Sequence, residues 1–197
     1  MRKGIYRIII AFAVLLSAIT QSNAAPGKQE SKGWLKELGI FSGYGSGSLK
    51  EQDRYELIPI IVQFGFDLKK TLAKAGFRPP GSFNLNVEPF LSFVAGPDKN
   101  MEVGCIFMLK YAHPVTKKIR VYLEGGLGPV YITQHTREQS TQFNFADQAG
   151  AGFSFLLKDN LALSLGYRFR HISNASIKKP NGGINSDMVL CGVSVLY

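Results

Sequence analysis

Beyond residue 36 the chain alternates, residue by residue, between apolar side chains and polar or small ones. Eight segments carry this pattern, at about 38–44, 55–66, 83–94, 101–111, 119–133, 145–157, 161–172 and 188–197. A period of two sends successive side chains to opposite faces of an extended strand. The breaks between segments hold turn formers: GSGS, RPPGS, AGPDKN, HPVTKK, KDN and KKPNGG. After the first 24 residues no run of 18 apolar residues occurs, so no membrane-spanning helix is expected there. An even number of strands near ten residues each predicts an all-β fold, an eight-stranded antiparallel transmembrane barrel of bacterial outer-membrane type over residues 37–197.

The faces separate a membrane barrel from a soluble one. In the third segment Phe83, Leu85, Val87, Leu91 and Phe93 oppose Asn84, Asn86, Glu88 and Ser92. In the fourth, Met101, Val103, Cys105, Phe107, Leu109 and Tyr111 oppose a row with Glu102 and Lys110. In the last, Val189, Cys191, Val193, Val195 and Tyr197 oppose Leu190, Gly192, Ser194 and Leu196. Hydrocarbon outside and a crowded, partly polar lumen explain such rows, whereas a soluble barrel places the apolar rows inside. The aromatic Tyr197 on the apolar face also resembles the C-terminal signal of outer-membrane barrels. Pro89 and Pro129 fall inside strands and are expected to mark bulges or strand ends. Residues 68–77, LKKTLAKAGF, have Leu68, Leu72 and Ala75 at helical spacing and read either as a short interfacial helix or as a loop.

The start of the chain reads as an address. Arg2, Lys3 and Arg7 precede an apolar run from Ile8 to Ile19, and Ser22-Asn23-Ala24 supplies small residues for cleavage. Residues 1–24 are therefore expected to be a cleaved signal peptide, followed by a short segment at 25–36. Its loss leaves 20 Lys and Arg against 14 Asp and Glu, an excess that suits an anionic headgroup as well as a nucleic acid. An exported chain without an aromatic and basic RNA-binding signature makes nucleic acid an unsuitable partner. Cys105 and Cys191 lie on apolar faces and read as packing residues; no metal-ligand spacing involves them, and no cofactor or metal is expected.

The seventh segment ends unusually. Leu161, Leu163, Leu165, Tyr167 and Phe169 share a face with His171 and Ser173, while Arg168 and Arg170 share the opposite face with small residues. With both chain ends in the periplasm, this strand runs outward and the two reactive groups sit near the outer leaflet. Either the strand has left the hydrocarbon by then and both groups are wet, or they act together. Residues two apart on a strand project together with Cα atoms about 6.5 Å apart, a separation suited to a nucleophile and its base. Arg168 and Arg170 point inward, where Glu88, Glu102 and Glu124 are candidate partners.

The stretch RHISNASIKKPNGGIN resembles the signature of the outer-membrane lipid A 3-O-deacylases (PagL type) and their acyloxyacyl-hydrolase relatives. The resemblance is strong over 143–197 and architectural over 38–133. It implies a serine esterase on the lipid-facing wall that removes an ester-linked acyl chain, the 3-O chain, from lipid A of lipopolysaccharide. It also implies His171 as general base, Ser173 as nucleophile, Asn174 as oxyanion-side residue, and Pro180 and Asn181 as the loop motif. The family's acid falls on Asn185, which orients an imidazole but brings no charge. If the KDN turn sets Leu157 opposite Leu161, Asp147 stands opposite His171 on the same face, either as a substitute acid or as a solvated rim residue. Phe145 and Asp147 match an F-x-D element of the family, and Asp187 is a weaker substitute. Lys178 and Lys179 are candidates for lipid A phosphates or plain loop lysines. Two other functions stay open: a non-catalytic adhesin or scaffold barrel, and a phospholipid esterase. The protein is expected to work as a monomer or homodimer in the outer membrane.

Overall fold

A computed structural model of the chain describes residues 33–49, 54–136 and 138–197. The expected signal peptide at 1–24, and 25–32 of the segment after it, lie outside the described residues. The eight strands are β1 (Leu35–Ser48), β2 (Arg54–Asp67), β3 (Ser82–Gly96), β4 (Asn100–Pro114), β5 (Ile119–Ile132), β6 (Phe143–Lys158), β7 (Leu161–Ser173) and β8 (Ile184–Leu196). Each pairs antiparallel with the next, and β8 pairs back onto β1 from Glu37↔Leu196 to Ser48↔Asn185. Closure leaves no unpaired edge, which a sheet in hydrocarbon requires because an unsatisfied N–H or C=O there costs several kcal/mol. The barrel starts at Leu35, slightly ahead of the expected 37. The 68–77 segment does form a helix, α1 (Lys69–Lys74), between β2 and β3.

The alternation sorts the wall as expected. Val103, Phe107, Leu123, Leu127, Leu163, Leu165 and Val189 are exposed on the outside, whereas Glu88, Glu102, Arg168 and Arg170 are buried in the lumen. Eight strands enclose only enough space for side chains, and charges fill it in three tiers. Nearest the end where β7 finishes, Arg170 binds Glu102 at 2.6 Å, and the Tyr55 hydroxyl donates to the same carboxylate at 2.5 Å. In the middle, Arg168 bridges Glu88 and Glu124, each at 2.7 Å. Nearest the chain ends, Lys110 pairs with Glu37 at 3.5 Å and stands 4.6 Å from the Tyr122 ring centroid. Tyr122 fits because Gly152 and Gly166 leave it room; a Cβ on either would overlap its hydroxyl.

The prolines behave differently from expectation. Pro89 pairs with Cys105 and Pro129 with Phe145 in unbroken runs on one side. On the other side the ladder is interrupted without a shift: Ile61↔Phe90 is followed by Phe64↔Val87, and Gly104↔Val130 by Phe107↔Leu127. A missing N–H removes bonds to one neighbour only, and the other neighbour holds the register, so neither proline marks a bulge or an end.

The lumen network yields a stability prediction. Glu102→Ala leaves the Arg170 guanidinium buried and unpaired, and should lower stability by about 3–5 kcal/mol. The check is the urea midpoint for unfolding from lipid vesicles.

Candidate active site on the barrel wall

Parity decides where the end of β7 points. Arg170, Ile172 and Asn174 turn inward and are buried, so His171 and Ser173 turn outward and are half-buried on the wall. A cavity of about 360 Å³ lies at the opposite end of the barrel, lined by Lys36, Asp67, Lys110 and Tyr197 among others, away from this pair. The candidate site is therefore an open stretch of wall.

His171 has a neighbour on each side, Asp147 on β6 and Asn185 on β8. Asp147 stands where the short β6–β7 turn predicts, although the turn is irregular: after Leu156↔Ala162 the pairing slips to Lys158↔Leu161. The ring bonds the other neighbour. Nδ1 of His171 lies 2.6 Å from Oδ1 of Asn185. An amide oxygen only accepts, so this contact assigns the proton to Nδ1 and leaves Nε2 as the basic nitrogen. Among the described residues neither Ser173 Oγ nor the Asp147 carboxylate has a hydrogen bond to the ring.

Asn185 lies on the sheet and not in the expected loop, because β8 starts at Ile184 instead of 188. Ile184, Ser186 and Met188 continue its inward row, and the outward positions Asn185 and Asp187 are polar where an apolar residue would mark the period. Asp187 pairs with Phe169, and its carboxylate accepts from the Tyr167 hydroxyl, so it does not stand in for a partner of His171.

Asn174 needs a correction. Its side chain lies on the lumen side, where Nδ2 donates to the Lys178 carbonyl at 2.7 Å and to Ser140 Oγ at 3.2 Å, while its backbone N–H donates to Asn181 Oδ1 at 2.9 Å. All its donors are thus engaged in holding the β7–β8 loop, and the expected oxyanion contact is not available from its amide. Asn181 thus takes part in the loop's own hydrogen bonding. Next to Ser173, residues 174–177 form a tight turn closed by Ile177 N–H to Asn174 O at 3.0 Å, with Ala175 at φ 51° and Ser176 at φ 64°. Left-handed conformations cost non-glycine residues about 1–2 kcal/mol each, so strain sits beside the serine.

The sequence reasoning missed Gly183. Its φ is +74°, and a Cβ there would lie 2.5 Å from Cε1 of His171, so the glycine packs its backbone against the imidazole. The second glycine of PNGG is the signal that was available for it.

The two flanks of His171 differ. Toward β5, apart from Asp147 itself, the outward positions are apolar or small: Leu123, Gly125, Leu127, Ala149 and Ala151. Toward β1 and β2 they are polar, running Asn185, Ser48, Arg54.

A family model described as "Lipid A 3-O-deacylase (PagL)" matches residues 29–194. The chain belongs to the lipid A 3-O-deacylase (PagL) family. It thereby joins outer-membrane lipid A deacylases, which are ester hydrolases. Among solved structures, the outer membrane enzyme PagL aligns at 18% identity and a TM-score of 0.62, covering 79% of this chain and 97% of that one. Neisserial surface protein A (NspA) aligns at 14% identity and a TM-score of 0.60, covering 82% of this chain and 96% of that one. At these identities the two structures share the barrel fold with this PagL-family chain. No curated protein matches it significantly.

In this family member Gly183→Ala should both strain the backbone and push the imidazole off Asn185. The expected outcome is a shifted His171 ring resonance in NMR of detergent-solubilised protein with an unchanged strand spectrum.

Proposed function

We propose that the protein hydrolyses an ester-linked acyl chain of lipid A, the 3-O chain, with Ser173 as nucleophile and His171 as general base. The observation that most supports this reading is the outward imidazole held through Nδ1 by Asn185, two residues from an outward serine. That contact leaves Nε2 to accept the Ser173 proton as Oγ attacks the ester carbonyl. Collapse of the tetrahedral intermediate expels the sugar oxygen, which takes the proton back from His171. Water activated by the same nitrogen then cleaves the acyl-enzyme, releasing the fatty acid. Because the donors of Asn174 are engaged, the oxyanion is assigned to the backbone N–H groups of the strained turn at Ala175 and Ser176.

Asn185 fixes the tautomer but adds no negative charge against the imidazolium. In this reading Asp147 supplies it from the other flank, where directly opposed Cβ atoms are about 5 Å apart. The acyl chain lies along the wall below the pair, over Ala149, Ala151 and Gly125 and against the ridge of Phe169, Tyr167, Leu165 and Leu163. The exposed Lys178 and Lys179 meet lipid A phosphates as point charges. The barrel sits in the bacterial outer membrane with the β7 end facing outward.

The test is mass spectrometry of lipid A from cells expressing each variant. Wild type should remove one 3-O chain, and Ser173→Ala should cut the rate by about 10³-fold or more. Lipid A identical to the empty-vector control in wild type would end the deacylase reading and return the barrel to a scaffold or adhesin role. Loss of phospholipid acyl chains instead would make it a phospholipid esterase. Asp147→Ala should lower turnover by about tenfold or more and Asn185→Glu should raise it, since a charged partner steadies the imidazolium. Unchanged turnover in Asp147→Ala would remove that carboxylate from the mechanism.

A further inference from the structure

The loop joining β5 to β6 contributes a short element that grips the β7–β8 loop. Residues 138–140 lie alongside 180–182: Gln139 and Asn181 form an antiparallel bridge, Gly182 N–H donates to Glu138 O at 2.8 Å, and Ser140 N–H donates to Pro180 O at 3.1 Å. Ser140 has further bonds. Its hydroxyl donates to the Lys178 carbonyl at 2.9 Å and accepts from Asn174 Nδ2 at 3.2 Å. Beside it, the buried Gln139 donates through Nε2 to the carbonyl of Ile172, the residue between His171 and Ser173, at 3.4 Å. The clasp therefore holds both the loop after Ser173 and the peptide before it.

We infer that Ser140 is a positioning residue for Ser173, and that the β5–β6 loop is a working part of the site. The inference rests on the hydrolytic reading above. The turn at 174–177 holds two non-glycine residues at positive φ, a conformation that persists only when its surroundings enforce it. The Asn174 Nδ2 bond to the Lys178 carbonyl closes the turn from within, and the Ser140 hydroxyl reinforces it from another hairpin by bonding both partners. Without it the turn is held less tightly, and Ser173 shifts relative to Nε2 of His171. The substrate contacts on the wall, by contrast, are untouched.

Ser140→Ala and Ser140→Thr in the full chain test this. The loop carries exposed lysines, so trypsin cleavage after Lys178, followed by mass spectrometry of folded protein in detergent, reads loop order without needing activity. Ser140→Ala should be nicked there several-fold faster than wild type while the barrel keeps its heat-dependent gel mobility. Its kcat on lipid A should fall about tenfold, as a misplaced nucleophile predicts, with any rise in KM through the loosened Lys178 and Lys179 the smaller effect. Ser140→Thr, which keeps the hydroxyl, should restore both. Ser140→Ala nicked at the wild-type rate overturns the inference, as does faster nicking with unchanged kcat. Full lipid A turnover by Ser173→Ala would instead show that the hydrolytic reading had failed, while the nicking rate still judges the clasp.

Discussion

A closed ladder assigns every residue a side. Each strand is held in register by both neighbours, so a side chain can leave its face only where the register shifts. In β7 the buried pairs Arg168–Glu88 and Arg170–Glu102 anchor the even-numbered residues in the lumen. Turning that strand over would expose two guanidinium groups to hydrocarbon and thrust leucines and aromatics into a charged interior. The outward direction of His171 and Ser173 is thus enforced by charges on the opposite face. The same logic holds for Asn185, whose inward neighbours Ile184 and Ser186 are both buried.

The far end of β7 is governed by a different rule. Past Ser173 the chain leaves the ladder, and short polar links replace it. Asn174, Asn181 and Ser140 tie a turn with two residues at positive φ to a second hairpin. A rigid wall thus passes its order to a strained loop through a few side chains. That arrangement places His171 and Ser173 at the boundary between the two, held by the sheet on one side and by the clasp on the other.

Much of this was readable from residue order. Alternation gives eight strands, the inward arginines point to their carboxylates, and a three-residue turn is enough to place Asp147 opposite His171. Three features escaped for physical reasons. The start of β8 is hidden because Asn185 and Asp187, at its outward positions, break the apolar period. Asn174 looks like a free donor beside Ser173, but parity turns it inward, and its partners in 138–140 belong to a distant hairpin that no local pattern ties to it. The prolines look like breaks, yet a strand with two neighbours loses bonds to one and keeps register with the other. Assignment of the family rests on the match over residues 29–194, and the motif at 170–185 gave the same answer from a small part of the chain.

The ion pairs in the lumen also govern traffic. Arg168, Arg170 and Lys110 with their carboxylates occupy the bore at three heights, so among the described residues side chains plug the barrel beyond the cavity at its chain-end mouth. In the proposed reaction, a lipid reaches the wall beside His171 by sliding in sideways within its own leaflet, and the trimmed lipid and freed fatty acid depart the same way. Under the proposed chemistry, the fluidity of the surrounding membrane then becomes one of the determinants of how fast the protein can work.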